Sequence, residues 1–143
     1  MQRCLIIETS PVIRKVTTAI LRDFGFEVVE AAGGREGLVV FNRYIPRLAI
    51  VDAGIADMAP LDVLRKMRDV GAGRSQILYC TTQFDLLEAQ RAHAAGATDL
   101  LVKPFDRHSL SAKLDGWQRG GQDQPRDNFF NRLSRSELVR IAG

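Results

Sequence analysis

A chain of 143 residues with 45% hydrophobic and 26% charged residues can bury one ordinary core and carry a short appendage, which excludes a disordered chain and leaves little room for two full domains. No apolar run approaches the roughly 20 residues of a membrane-spanning helix. Met1 leads almost directly into an apolar run with no signal-peptide pattern, so a cytoplasmic protein without membrane insertion is the expectation. The net charge of +3 is unevenly spread: acids and bases nearly balance through residue 118, whereas the last 25 residues hold five arginines, no lysine and three acids.

In chain order, apolar strand runs alternate with amphipathic helices five times, which predicts a doubly wound α/β domain with a flavodoxin-like parallel sheet of order 2-1-3-4-5. The first strand, Cys4 to Ile7, ends in Glu8-Thr9. Ser10-Pro11 then supplies a helix cap and a first-turn proline. Val12, Ile13, Val16, Ile20 and Leu21 recur at helical spacing and predict one buried face, closed by Gly25. A short strand over Glu27–Glu30 leads through Gly33-Gly34 to a helix ending near Phe41.

The unbroken apolar run Leu48-Ala49-Ile50-Val51 suits a central strand covered on both faces, and Asp52 stands at its carboxyl end, where open α/β sheets bind ligands. A third helix begins near Pro60, with Leu61, Leu64 and Met67 facing inward. The fourth strand, Ile77 to Cys80, is followed by Thr81-Thr82. Asp85 and Glu88 have capping-box spacing ahead of a helix that stops at Gly96. The fifth strand, Leu100 to Val102, ends in Lys103-Pro104, and Asp106 caps a last helix running to about Trp117.

Cys4 and Cys80 fall on strands separated by a third strand, roughly 9–10 Å apart. That spacing predicts buried, reduced thiols rather than a disulfide. His93 and His108 sit on predicted helix surfaces without a third ligand in sequence reach, so no metal role is expected of them. Right-handed crossovers bring the carboxyl ends of strands one, three, four and five to one edge, which collects Glu8, Thr9, Asp52, Thr81 and Lys103.

That edge carries a resemblance. Ile6 to Arg14, Asp52 with Met58 after it, Thr81, and Ala95-Gly96-Ala97 through Lys103-Pro104-Phe105 resemble the CheY-like receiver domains of response regulators over residues 2–118. The resemblance implies that Asp52 accepts a phosphoryl group and that Mg²⁺ is held by it and by an acidic pair ending the first strand. It further implies that Thr81 and Lys103 bond phosphoryl oxygens. Charge neutralisation by a hard cation and a lysine is what carboxylate attack on an anionic phosphoryl donor requires. Here the acidic pair reads Glu8-Thr9, Leu100 stands where such domains carry a mobile Tyr or Phe, and Ala56 and Pro60 replace the usual loop residues. The expectation is a degenerate phosphorylation site in which Glu8 pairs with Lys103 and Mg²⁺ binding is in doubt. No enzyme activity of its own is expected.

After a linker at residues 119–125 the chain changes character. In residues 126–143, Arg side chains alternate with Asp127, Asn128, Phe129 and Phe130, and Ser134 with Glu137 predicts a short helix start. An arginine fork reads guanine O6 and N7, a carboxylate accepts from the guanine N–H edge, an aromatic ring stacks on a purine, and a helix start holds phosphate. A long nucleic acid would be repelled by Asp127 and Glu137, so a small guanine nucleotide is favoured over RNA or DNA. A solvated extension and a segment that folds on another protein are the alternatives.

The segment resembles the arginine-rich tail of the CheY-like cyclic di-GMP effectors of the flagellar motor. By that resemblance Arg126, Asp127, Asn128, Arg132, Ser134, Arg135, Ser136 and Arg140 bind cyclic di-GMP, and the loaded protein acts on a flagellar motor switch protein at the pole and on surface attachment. The sequence thus predicts a receiver-fold adaptor that binds cyclic di-GMP, with a phosphorylation-dependent single-domain response regulator using Asp52 as the alternative.

Overall fold

The computed structural model describes residues 2–71, 73–82 and 85–120. Five strands, β1 (Arg3–Ile7), β2 (Glu27–Ala31), β3 (Leu48–Asp52), β4 (Gln76–Thr81) and β5 (Asp99–Val102), form one sheet in the order β2-β1-β3-β4-β5, and every pairing is parallel. This is the predicted order. β3 and β4 are buried along their whole length, as the unbroken apolar runs require of strands covered on both faces.

The connecting helices are α1 (Pro11–Asp23), α2 (Gly34–Tyr44), α3 (Pro60–Gly71), α4 (Leu86–Ala95) and α5 (Arg107–Gly120). One core layer joins Phe41 of α2, Val63, Leu64 and Met67 of α3, and Ala89, Ala92 and Ala95 of α4 to the sheet. The opposite layer joins Ile20 and Leu21 of α1 and Leu110 and Leu114 of α5 to it. α3 thus seats three large side chains, whereas every buried residue of α4 is an alanine.

Local signals set the helix ends. Ser10 Oγ accepts from Ile13 N–H ahead of Pro11, Asp85 Oδ1 accepts from Glu88 N–H, and Asp106 Oδ1 accepts from Ser109 N–H. Gly96, at φ 122°, stops α4 in a conformation that side-chain-bearing residues rarely adopt. α5 runs to Gly120, past the expected stop near Trp117 and two residues into the segment expected as linker.

The buried face of α1 corrects the sequence reading. Val12 and Val16 are 72% and 57% exposed, and Ile13 is exposed with them; the residues turned to the sheet are Thr17, Thr18, Ile20 and Leu21. Apolar periodicity locates a stripe but not the rotation of the helix about its axis. Thr17 is buried here at low cost, because its hydroxyl donates to the Ile13 carbonyl one turn back, at 2.8 Å.

Cys4 and Cys80 are buried free thiols on β1 and β4, with β3 between them, as the strand order requires. Burial pushes the Cys80 thiol up to about 12 and the Cys4 thiol higher still.

Candidate functional site

In register, Ile7 lies beside Val51, Asp52 beside Cys80 and Thr81 beside Val102, so the strands end nearly level and present Glu8, Asp52, Thr81 and Lys103 at one edge. Lys103 is held there by its N–H donating to the Thr81 carbonyl at 2.9 Å, and the peptide bond to Pro104 is cis.

The Lys103 ammonium is the centre of the site. It forms ion pairs with both Glu8 Oε1 and Asp52 Oδ1, the latter at 2.8 Å, and the three side chains are only 14%, 5% and 11% exposed. Burial alone would lower the lysine pKa. The hydrogen bonds to Asp52 and Glu8 outweigh it and raise the pKa above its ordinary value. The other Asp52 oxygen accepts from Gly54 N–H at 3.2 Å, and Glu8 Oε2 from Ser10 N–H at 3.4 Å. The predicted Glu8–Lys103 pair is therefore present, and Lys103 bridges it to Asp52.

Thr9 is exposed, and as a hydroxyl it brings no second carboxylate to the end of β1. Leu100 is buried in the α2, α3 and α4 layer. A Mg²⁺ ion of the kind the sequence resemblance implies needs several hard oxygen donors. Glu8 and Asp52 offer two carboxylates, yet Lys103 lies on both, and the described residues contain no group of three or more His, Cys, Asp or Glu side chains arranged for a metal. With Lys103 seated on both carboxylates, this donor set as arranged does not fit the ion.

Beside the bridge lies a cavity of about 280 Å³ lined by Asp52, Ala53, Gly54, Thr81, Thr82, Glu88 and Lys103. Asp52, Thr81 and Lys103 converge on it as expected. Glu88 is the addition: its spacing from Asp85 predicted a capping box, and Asp85 makes its half. The Glu88 carboxylate is engaged elsewhere, accepting from Thr81 Oγ1 at 3.3 Å. Burial raises the Glu88 pKa, the Thr81 hydroxyl opposes the rise, and the Asp85 charge adds to it.

Two further contacts were not read from the sequence. Arg14 Nη1 donates to the Glu8 carbonyl at 2.7 Å while its Nε pairs with Glu30 Oε1 at 3.1 Å, so a half-buried guanidinium braces the end of β1. Asp57, in the loop after Asp52, accepts from the N–H groups of Gly34 and Arg35 at 2.9 and 3.0 Å and caps α2 from a distant part of the chain. Those backbone bonds hold its carboxyl below the usual range. The proposed nucleotide-binding residues Arg126, Asp127, Asn128, Arg132, Ser134, Arg135, Ser136 and Arg140, and the helix start at Ser134, lie outside the described residues.

A parallel sheet of this order, with an aspartate, a threonine and a lysine on the ends of its third, fourth and fifth strands, is the arrangement of a signalling receiver. The model of the response regulator receiver domain matches residues 4–115, and the chain belongs to that family. Among curated proteins, the DNA-binding response regulator MtrA of Mycolicibacterium smegmatis is 28% identical over 125 residues, covering 87% of this chain and 54% of that protein. The chain thus spans about half the length of this relative. Among solved structures, the chemotaxis response regulator CheY4 of Vibrio cholerae is 31% identical, covering 81% of this chain and 98% of that one, with a TM-score of 0.76. The receiver domain of sensor histidine kinase PA1611 from Pseudomonas aeruginosa PAO1, solved with a magnesium ion in its active-site cleft, is 27% identical, covering 81% and 96%, with a TM-score of 0.73.

Proposed function

We propose that this chain is a signalling receiver that works through protein contact, with Asp52 as the acceptor of a phosphoryl group. The observation that carries this reading is the convergence of Asp52, Thr81 and Lys103 on one cavity. In the transfer, an Asp52 oxygen bonds to the phosphorus of an acyl phosphate, and the bond from phosphorus to the donor's carboxylate oxygen breaks, with the carboxylate leaving. Lys103 must slacken its hold on Asp52 and turn to the phosphoryl oxygens, and Thr81 offers its hydroxyl to another. The family match and the likeness to CheY4 support this reading. Labelling by acetyl phosphate, followed by intact mass with and without Mg²⁺, tests it: one phosphoryl group per chain, lost in Asp52→Asn, is expected, and an unlabelled wild type would overturn it.

A second reading is favoured by one observation, the sharing of Lys103 between Glu8 and Asp52 where a metal-binding acidic pair would stand. On it, the domain is a scaffold whose input is cyclic di-GMP, held by Arg126, Asp127, Asn128, Arg132, Ser134, Arg135, Ser136 and Arg140. Its output is contact with a flagellar motor switch protein in the cytoplasm at the pole. The described residues contain no helix long and apolar enough to cross a membrane. Nucleic-acid binding is not part of either reading; that description belongs to MtrA. Calorimetric titration of cyclic di-GMP into the full chain is expected to give micromolar or tighter binding that Arg132→Ala and Asp127→Ala weaken. No heat with the wild-type chain would remove this reading.

A further inference from the structure

A hydroxyl has one proton to donate, and that of Thr81 is directed at the Glu88 carboxylate. Glu88 comes from the first turn of α4, not from a strand end, and Asp85 fixes its backbone by accepting from its N–H at 2.7 Å. The same carboxylate lines the cavity that Asp52 and Lys103 line, so it brings a second acid to a space where the one lysine is already paired with Asp52 and Glu8. An entering phosphoryl group is itself anionic and needs the Thr81 donor. It therefore meets a carboxylate that both repels it and occupies that donor.

We propose that Glu88 is a positioning residue that competes with the phosphoryl group for the Thr81 hydroxyl and so sets how readily Asp52 is phosphorylated. This rests on Asp52 being the phosphoryl acceptor. The transfer itself is unchanged: the bond from Asp52 oxygen to phosphorus forms, the bond from phosphorus to acetate oxygen breaks, and acetate leaves with the electron pair. Thr81 neither gains nor loses a proton; it turns its hydroxyl from Glu88 to a phosphoryl oxygen. Glu88 must swing away or stay engaged, and engagement slows the step.

The test uses the full chain and acetyl phosphate, with initial labelling rates for the wild type, Glu88→Ala, Glu88→Gln, Thr81→Val and the Thr81→Val/Glu88→Ala double variant. Glu88→Ala is expected to label about five- to tenfold faster than the wild type, the range set by one net hydrogen bond. Glu88→Gln, which loses the charge but keeps an acceptor for Thr81, is expected to fall between the two. In the Thr81→Val background the gain from Glu88→Ala should largely vanish, because the coupling runs through that hydroxyl. Equal rates in the wild type and Glu88→Ala would overturn the inference while leaving Asp52 as acceptor. So would an equal gain with and without the Thr81 hydroxyl. No label in either the wild type or Glu88→Ala would overturn both readings.

Discussion

On the Lys103 side of the cavity, three charged groups at the carboxyl ends of β1, β3 and β5 are locked together at low exposure; on the Thr81 side, a hydroxyl is tied to a half-buried carboxylate beside open volume. The first side knits strands far apart in sequence, since Lys103 and Glu8 are 95 residues apart. The second ties β4 to the start of the helix that follows it, across only 7 residues. On the phosphoryl reading proposed above, the first side is expected to carry stability and the second to set how the site answers an anion.

The largest expected effect is therefore on Lys103. Lys103→Met leaves Glu8 and Asp52 facing each other without their shared cation and should lower stability by about 2–3 kcal/mol, somewhat below the full cost of splitting a buried pair because the site opens to water. Urea unfolding at neutral pH measures it. A loss no larger than that of Glu88→Gln would erase the distinction between the two sides. The pH dependence sharpens it: the folded-state pKa of Lys103 is raised, so its contribution is fully present below the ordinary lysine pKa of about 10.4 and is lost as pH rises through the higher folded value. The stability gap between the wild type and Lys103→Met should be flat around neutral pH and close in that alkaline window.

On the other side, Thr81→Val and Glu88→Gln should each change stability by less than about 1 kcal/mol, the net worth of a hydrogen bond beside solvent. The smallest effect is kinetic. Cys80 lies on β4 beside Asp52 with its thiol pushed up to about 12, so alkylation at neutral pH should wait on opening of the strand ends. Lys103→Met should speed it, and Glu88→Gln should leave it unchanged within about twofold.

The parts of this arrangement that a sequence displays are those in which one residue type at one place has one use. Ser10-Pro11, Asp85, Asp106 and Gly96 announce helix ends because their partners are at most a few residues away. Asp52, Thr81 and Lys103 are legible because each ends an apolar run, and crossover handedness then brings those ends together. The pairing of Glu8 with Lys103 follows from the missing second acid. Glu88 was legible as a capping residue but not as the partner of Thr81, since the choice between two nearby acceptors is made by side-chain torsions. Asp57 reaches α2 across 22 and 23 residues, and Val12 and Val16 face outward because the sheet takes the neighbouring stripe of α1; neither leaves a mark in spacing.

The alanine footing of α4 has a mechanical consequence. Leu64 and Met67 key α3 into the sheet, so any slip of that helix would drag large side chains out of fitted recesses. Ala89, Ala92 and Ala95 present only methyl groups, which fill no deep recess and carry almost no rotamer freedom to be lost. α4 therefore rests on the sheet through methyl groups alone, and what fixes its two ends is polar: Thr81 donates to Glu88 in its first turn, and Arg68 of α3 donates to the Gly96 carbonyl just past its last.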